Sequence, residues 1–525
     1  MDTKALRQKI LDLAIRGKLV PQDPSDEPAS VLLERIREQK KQMVKEGKLK
    51  AKDIMDDTII FVGEDNLHYE KFADGTVKCI EEEIPFEVPE GWEWTRLQSI
   101  TSILTDGTHK TPTYSEDGYI FLSSKNVTSG KIDWSNIMYI PESLHQELYS
   151  RLAPKIGDIL LAKNGTTGVA AIVDREEVFD IYVSLALIRV VENIIDPLYI
   201  LNVIGSSFAQ DYFSSSLKGI GVPNLHLEHI RNTLIPIPPC LEQARINSRT
   251  DMLLPLAGQI EENREELKRL VSFLKSKILD LAIRGKLVPQ DPNDEPASVL
   301  LERIRTEKEE LIKQGKIKRG KKESIIFRGD DNSYYLRTGE VEESLENWRF
   351  DDLPETWEIC CLYELCDYGY CISVNTEDIA EDAWILDLED IEKDTGTVLK
   401  KVAKAQRNSV STKHKFHSGQ VLYSKLRPYL NKVVLSDADG YCTSEILPLE
   451  FKNCVLPEYA RYYLMSGTFI AYANHCSYGV KMPRLGTTDG KKAIFSLPPL
   501  SEQKRIVETI DFFFMQLNKI SEALA

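Results

Sequence analysis

Eight histidines, nine cysteines and 82 carboxylate side chains give this chain ample material for catalysis, but not in the spacings that make a catalytic site. There is no G-x-x-x-x-G-K-[ST] loop, so a P-loop nucleotide hydrolase is excluded. Neither Asn-Pro-Pro-aromatic nor Asp-Pro-Pro-aromatic occurs, and amino-methylating enzymes use such a tetrapeptide; Pro238-Pro239 and Pro498-Pro499 follow Ile and Leu instead. Gly219-Ile-Gly221 is too short for a dinucleotide fingerprint. Glu38-Gln-Lys40 and Glu502-Gln-Lys504 supply the Glu-x-Lys half of a nuclease signature, on helical stretches and without an acidic partner. No two histidines stand in H-x-x-x-H spacing. Cys360, Cys361, Cys366 and Cys371 cluster, but without paired C-x-x-C spacing or a second ligand group; buried or partly buried thiols are expected rather than zinc.

Binding chemistry is better represented. Gly396 to Ser436 carries nine Lys or Arg and no Asp or Glu, in a chain whose net charge is −16. Tyr423, Phe416, Tyr429 and Asn431 lie within this run, with His414 and His417. Cations mixed with aromatic and amide groups suit phosphate contact and base reading. In the first half, Thr105-Asp-Gly-Thr-His-Lys-Thr-Pro112, Ser123-Ser-Lys-Asn126 and Lys163-Asn-Gly-Thr-Thr-Gly168 are loop-like and place donors beside small residues. The candidate nucleic-acid contacts are His109, Lys110, Lys125, Asn126, Lys163, Asn164 and Thr166 in these loops, and, in the second half, Arg407, Lys425, Arg427 and Asn431 of the basic run with Lys481 and Arg484 beyond it.

The elements that must position these residues are repeated. Lys9–Lys40 and Lys277–Lys308 differ at only three of 32 positions: Ser25/Asn293, Glu38/Thr306 and Gln39/Glu307. Further echoes are Ile59-Ile60-Phe61 with Ile325-Ile326-Phe327, Pro89-Glu-Gly-Trp92-Glu with Pro354-Glu-Thr-Trp357-Glu, and Pro238-Pro-Cys-Leu-Glu242-Gln243 with Pro498-Pro-Leu-Ser-Glu502-Gln503. Between them, 98–236 and 363–496 differ in wording but share fragments: Gly157-Asp-Ile-Leu160 with Gly419-Gln-Val-Leu422, and Pro223-Asn-Leu225 with Pro483-Arg-Leu485. Both variable stretches mix short β-type runs with helical segments such as 196–216 and 457–472, which predicts a mixed α/β domain in each half.

The constant stretches read as helices. Leu6, Ile10, Leu13 and Ala14 recur at helical spacing before Gly17, and Leu267, Leu270, Val271, Leu274, Ile278, Leu281 and Ala282 do so before Gly285. A second helix opens at Asp26-Glu27-Pro28, turns Val31, Leu32 or Leu33, and Ile36 inward, and stops near Gly47. A helix over 242–284 is expected to kink at Pro255. Laid out as a circle, the repeat places 502–525 end to end with the first ~16 residues, in imitation of 242–284. The duplicated Arg16, Lys18, Gln22, Asp23, Glu34 and Arg35, with Arg284, Lys286, Gln290, Asp291, Glu302 and Arg303, point to one surface used twice, by two copies of one partner.

At 525 residues the chain is long enough for three to five structural units. It has no apolar run of membrane-spanning length and no apolar signal region at Met1, and is expected to be cytoplasmic.

With the duplicated "AIRGKLVPQDP…EPASVLLERI" block, the "PP…EQ.RI" junctions, and "DGTHKTP", "AKNGTTG" and "YSKLRPYLNKV", the whole chain resembles the specificity (S) subunits of type I restriction–modification systems. The resemblance implies an α/β (α+β) protein: two mixed α/β target recognition domains separated by two long antiparallel helical conserved regions, in a pseudo-twofold circular arrangement. The boundaries are then 1–50 for the start of the distal conserved region, 51–240 for the first recognition domain, 241–318 for the central conserved region, 319–500 for the second recognition domain and 501–525 for the closing helix. It also implies a non-catalytic chain without a cofactor of its own. Double-stranded DNA with a bipartite target would be bound directly. Two modification (methyltransferase) subunits would bring S-adenosylmethionine, and restriction subunits joined through them would bring ATP and Mg. Because the two domains differ, the target should be asymmetric and split, its halves about one helical turn apart. A stand-alone DNA-binding regulator and an interaction scaffold without nucleic acid remain the alternative readings.

Overall fold

Each copy of the repeated block folds as a helix, a glycine turn, an extended connector and a second helix, and each carries a variable domain. The computed structural model describes residues 2–128, 130–217, 224–315, 324–329, 331, 333–345, 353–407 and 410–524. The chain divides into two units, Met1–Asn263 and Arg264–Ala525.

In the first unit, Asp2 caps α1 (Thr3–Ile15) by accepting from Ala5 N at 3.0 Å. Gly17 ends the helix turn with φ +63, and a Cβ there would lie 2.4 Å from Pro89 Cγ. Here glycine is needed both for its left-handed backbone and for the close approach of the Pro-Glu-Gly-Trp segment. In α2 (Ala29–Lys45), Ala29, Leu32, Leu33 and Ile36 form the buried i, i+3, i+4, i+7 stripe. Val31, expected inward, is 43% exposed; starting the helix at Ala29 sets the stripe one residue away from it. Then β1 (Ile59–Val62), β2 (His68–Lys71) and β3 (Val77–Cys79) form an antiparallel meander.

The variable domain opens with β4 (Glu93–Arg96), followed by β5 (Thr101–Asp106), β6 (Tyr119–Leu122), β7 (Met138–Ile140), α3 (Glu142–Arg151), β8 (Ile159–Ala162), β9 (Ala170–Ile172), β10 (Phe179–Ile181) and β11 (Leu185–Val190). One sheet has the order β5-β11-β8-β9; a second has β10-β6-β7. The stretch expected as a single helix over 196–216 is two, α4 (Pro197–Gly205) and α5 (Ser207–Ser215), because the Ser206 side chain caps the second. After α6 (Leu227–Arg231), β12 (Leu234–Ile237) pairs antiparallel with β4, so the domain leaves beside the strand on which it entered. The chain continues into α7 (Cys240–Ala282), whose 43 residues span about 65 Å and contain Pro255 without ending there. Within this unit, Arg7 Nη1 donates to Leu254 O at 3.4 Å, and the Thr3 hydroxyl bonds the Glu261 carboxylate.

In the second unit α7 ends before Gly285, whose φ is +65 and whose Cβ position lies 2.4 Å from Pro354 Cγ. Next come α8 (Ala297–Lys313), the meander β13 (Ser324–Arg328), β14 (Tyr334–Thr338) and β15 (Val341–Ser344), and the domain-opening strand β16 (Glu358–Cys361) with α9 (Leu362–Leu365). The variable domain contains β17 (Ile372–Val374), β18 (Trp384–Leu386), β19 (Val402–Ala403), β20 (Lys413–Phe416), β21 (Val421–Ser424), β22 (Val433–Leu435), β23 (Gly440–Thr443) and β24 (Ile446–Leu449). Its sheets have the orders β17-β20-β23-β18-β19 and β22-β21-β24. Again the expected helix, 457–472, is split: Ser466 separates α10 (Pro457–Leu464) from α11 (Gly467–His475). The hairpin β25 (Ser477–Tyr478) and β26 (Arg484–Leu485) and the helix α12 (Thr487–Lys492) precede β27 (Ile494–Leu497), which pairs with β16 as β12 does with β4. The unit ends in α13 (Leu500–Ala523), and Arg264 Nε donates to Leu524 O at 2.6 Å. Val271, Leu279 and Ile283 are buried, whereas Leu267, Leu270 and Leu274, at helical spacing with them, are 45–47% exposed.

Among the described residues no helix is long and apolar enough to cross a membrane. Replacing Gly285 by Ala is expected to lower the thermal unfolding temperature of the second unit: the left-handed backbone alone costs about 1–2 kcal/mol, and the clash with Pro354 adds to it. Gly17→Ala should do the same in the first unit, and a neutral outcome at either site would contradict the packing described.

Candidate nucleic-acid interface

In the first unit two of the candidate loops meet over a buried ion pair. Lys163 Nζ lies 2.6 Å from Asp106 Oδ2, and both residues are buried. The other Asp106 oxygen is 3.3 Å from Nε2 of His109, whose ring is exposed. β5 and β8 are not sheet neighbours, so this pair ties the loop after β5 to the loop after β8. Lys163 is therefore corrected from a DNA contact to the support of two loops. Asn126 is corrected likewise: it is buried, donates to Asp133 O (3.3 Å) and Asn136 O (2.9 Å), and accepts from Ser123 N at 3.0 Å. His109, Lys110, Lys125 and Thr166 are at the surface; Asn164 is half-buried.

The basic run of the second unit does not form one patch. The Arg407 side chain, only 8% exposed, lies between Asp387 (2.8 Å) and Asp390, which is itself fully buried. Lys401 pairs with Asp437 at 2.7 Å, Lys404 with Glu381 at 2.9 Å, and Lys432 donates to Leu388 O at 2.6 Å. Lys413 is buried, as are Tyr423 and Phe416, which were expected at the reading surface. Asn431 is buried too and donates to Met465 O at 3.4 Å. Arg484 is clamped by Glu445 at 3.0–3.1 Å. Arg407 and Asn431 thus leave the set of direct contacts, because each already has an internal task. Lys425, Arg427, Lys481 and the exposed Tyr429 remain together, at the loop after β21 and the β25–β26 hairpin.

These two places are the same place in the two units. Lys163 N donates to Ser184 O (2.8 Å) and its carbonyl accepts from Leu225 N (3.0 Å). Lys425 N donates to Glu445 O (3.0 Å) and its carbonyl accepts from Leu485 N (3.0 Å). Asn164 bridges Asn224 as Leu426 bridges Arg484. Two residues past each lysine the backbone is left-handed: Gly165 at φ +77 and Arg427 at φ +50. The fragment likeness between Asn224-Leu225 and Arg484-Leu485 thus marks a shared frame; Pro223, part of that likeness, lies outside the described residues.

A second duplicated arrangement joins each variable domain to its constant helices. Glu242 accepts from Trp92 Nε1 (2.9 Å) and Gln22 Nε2 (3.0 Å); Glu502 accepts from Trp357 Nε1 (2.9 Å) and Gln290 Nε2 (2.5 Å). Arg245–Asp26 (2.5 Å) and Arg505–Asp294 (2.6 Å) flank them. Burial pushes both glutamates above 4.5, against the two donors, which pull them down.

The profile described as "Type I restriction modification DNA specificity domain" matches twice, at residues 89–269 and 354–524. The matches begin at the two prolines that pack on Gly17 and Gly285. The chain belongs to the type I restriction–modification DNA specificity family. It is 30% identical to the EcoAI specificity subunit of Escherichia coli, over 98% of this chain and 90% of that one, and 28% identical to the EcoEI specificity subunit of the same species, over 99% and 90%. Among solved structures, one titled for complex assembly and conformational transition of the type I R-M system has the same fold at 17% identity and TM-score 0.50, covering 84% of this chain and 94% of that one. The HsdS subunit from Thermoanaerobacter tengcongensis aligns at 18% identity over 84% and 94%, with TM-score 0.45.

Both specificity domains rest on copies of the repeated block that present the same exposed residues: Lys18, Asp23, Glu34 and Arg35 in one, Lys286, Asp291, Glu302 and Arg303 in the other. Arg35 pairs with Glu27, and Arg303 with Glu295 at 2.5 Å. Arg284 is exposed; Arg16 is half-buried, 2.9 Å from Asp12 and over the Phe86 ring. Gln22 and Gln290 are exposed as well, and each donates its amide to a glutamate, Glu242 or Glu502, so they also join a domain to its own helices. In the cysteine cluster Cys371 is half-buried. Cys360, Cys361 and Cys366 are buried, and burial pushes the Cys361 thiol up to about 12. Among the described residues no group of His, Cys, Asp or Glu is placed to hold a metal.

Proposed function

We propose that this chain is the DNA sequence-specificity subunit of a type I restriction–modification complex. Each specificity domain contacts one part of a split, asymmetric duplex target through the loop tip built on Lys163 or Lys425, and the constant helices set the spacing. Two copies of a methyltransferase subunit occupy the paired Lys18/Glu34/Arg35 and Lys286/Glu302/Arg303 surfaces. S-adenosylmethionine is then bound by those subunits, and ATP with Mg by restriction subunits that join through them; this chain performs no bond-making step. The observation that carries the reading is one backbone frame occurring twice with different side chains on it: a constant scaffold presenting two different addresses.

The test is co-expression with the methyltransferase subunit and genome-wide mapping of methylated adenine. One bipartite, non-palindromic motif is expected; a palindrome, or methylation without sequence preference, sinks the proposal. Binding of a duplex carrying that motif should weaken steeply with salt, log K falling by about 0.9 per phosphate contact for each tenfold rise in salt. Lys481→Ala should lower that slope by about 1.

A further inference from the structure

The β25–β26 hairpin of the second unit turns through Gly479-Val480-Lys481-Met482-Pro483. Its tip has an unusual surface. Val480 is fully exposed, Met482 is 50% exposed, and Tyr478 and Tyr429 beside them are 63% and 47% exposed. Apolar side chains held in water at a loop tip gain nothing for folding and mark a contact site. The charge around them selects the partner: Lys481 lies between the two apolar residues in sequence, with Lys425 and Arg427 on the adjoining loop, in a chain that is otherwise acidic.

The tip is also braced. Arg427 N donates to Pro483 O at 2.7 Å, and its Nη2 reaches Lys481 O at 3.4 Å. To do so Arg427 takes a left-handed backbone at φ +50, as does Asn431 at φ +48 four residues on. The first unit puts glycine, Gly165, at the equivalent of Arg427. A bulky residue kept where glycine is easier means the local structure over-determines it; here what it holds in place is the hairpin. At the corresponding place the first half of the sequence spells Gly219-Ile-Gly-Val-Pro223, again apolar-x-apolar-Pro, with Gly221 in place of Lys481; those residues lie outside the described ones.

We propose that Val480 and Met482 form an apolar wedge that enters a groove of duplex DNA and levers open one base step of the half-site read by the second domain. Lys481 holds the adjacent phosphate, and Arg427 is a positioning residue that fixes the hairpin. Side chains of this kind, inserted between bases, unstack and kink a duplex. The inference rests on the DNA-reading role above and adds a deformation step to it.

The test uses the full chain in complex with its methyltransferase subunits, and duplexes carrying the mapped motif with 2-aminopurine at successive steps of each half-site. The unaltered complex should raise 2-aminopurine fluorescence at one step of one half-site. Val480→Ser with Met482→Ser should abolish that rise and weaken binding roughly 10- to 100-fold, the loss expected for two apolar side chains no longer buried. Thermal unfolding should change little, since Val480 is fully exposed and Met482 half-exposed. Lys481→Ala should weaken binding while the fluorescence rise persists. Unchanged fluorescence and affinity in the double variant overturns the wedge and leaves the DNA role standing. Failure of the unaltered complex to distinguish the motif from random duplex overturns the DNA role, and the wedge with it.

Discussion

Arg407→Met should destabilise the second specificity domain by about 3–5 kcal/mol, the cost of removing one partner from a buried ion cluster. The guanidinium bonds Asp387 at 2.8 Å and the Asp390 carboxylate, and Asp390 has no exposure to water. Lys400, 3.6 Å from Asp390, is half-exposed and cannot replace a planar fork. Without Arg407 the Asp390 charge is left in a dry site, and the 388–390 turn should open. Arg407→Lys should fall between Met and the unaltered protein. The measurement is denaturant unfolding of the full chain. If Arg407→Met unfolds like the unaltered chain and only DNA affinity falls, Arg407 acts on the duplex and not on the Asp387–Asp390 cluster.

This case shows where sequence reading reached its limit. The nine cations from Lys400 to Lys432 look like one patch when counted along the chain, yet charge is neutralised in space. Asp387 and Asp390 lie just upstream of the run, and Asp437 just past its end; drawn a few residues wider, the window takes in the partners. Lys163 gave no such signal, because Asp106 is 57 residues away and its approach depends on the sheet order β5-β11-β8. Asn126 and Asn431 looked like base readers because loop amides so often are, but a short polar side chain also closes its own loop.

The repeat, by contrast, was legible in the sequence alone. Side-chain periodicity survives without knowledge of long-range contacts. A helix phased from Asp26 turns Val31 inward, whereas the observed start at Ala29 turns it out; one residue in the start rotates the stripe. The splits at Ser206 and Ser466 had a readable cause, since serine before a helical run is a cap signal. The reason Gly17 and Gly285 recur was hidden: each is paired with a proline some 70 residues away, Pro89 and Pro354.

The second large effect concerns the two glutamate junctions, and follows from their being twins. Each carboxylate accepts two N–H groups on different oxygens. Glutamine keeps only one acceptor and turns an NH₂ toward the other donor. Glu242→Gln and Glu502→Gln should therefore each cost about 2–4 kcal/mol, counting a lost charge-assisted bond and a stranded donor. Because the two lie in different units, their costs should add in the double variant, whereas Glu502→Gln with Trp357→Phe, which removes both ends of one bond, should cost less than the sum. The pH dependence carries a sign. Burial raises both carboxyls above 4.5, so just above that value the folded protein holds protons that the unfolded chain has released. Stability therefore falls as pH rises through the window between 4.5 and the raised values, and the glutamine variants should lack that fall. Urea unfolding at a series of pH values measures both effects; a large loss at one junction and none at the other would mean that the duplicated residues have ceased to do the same job.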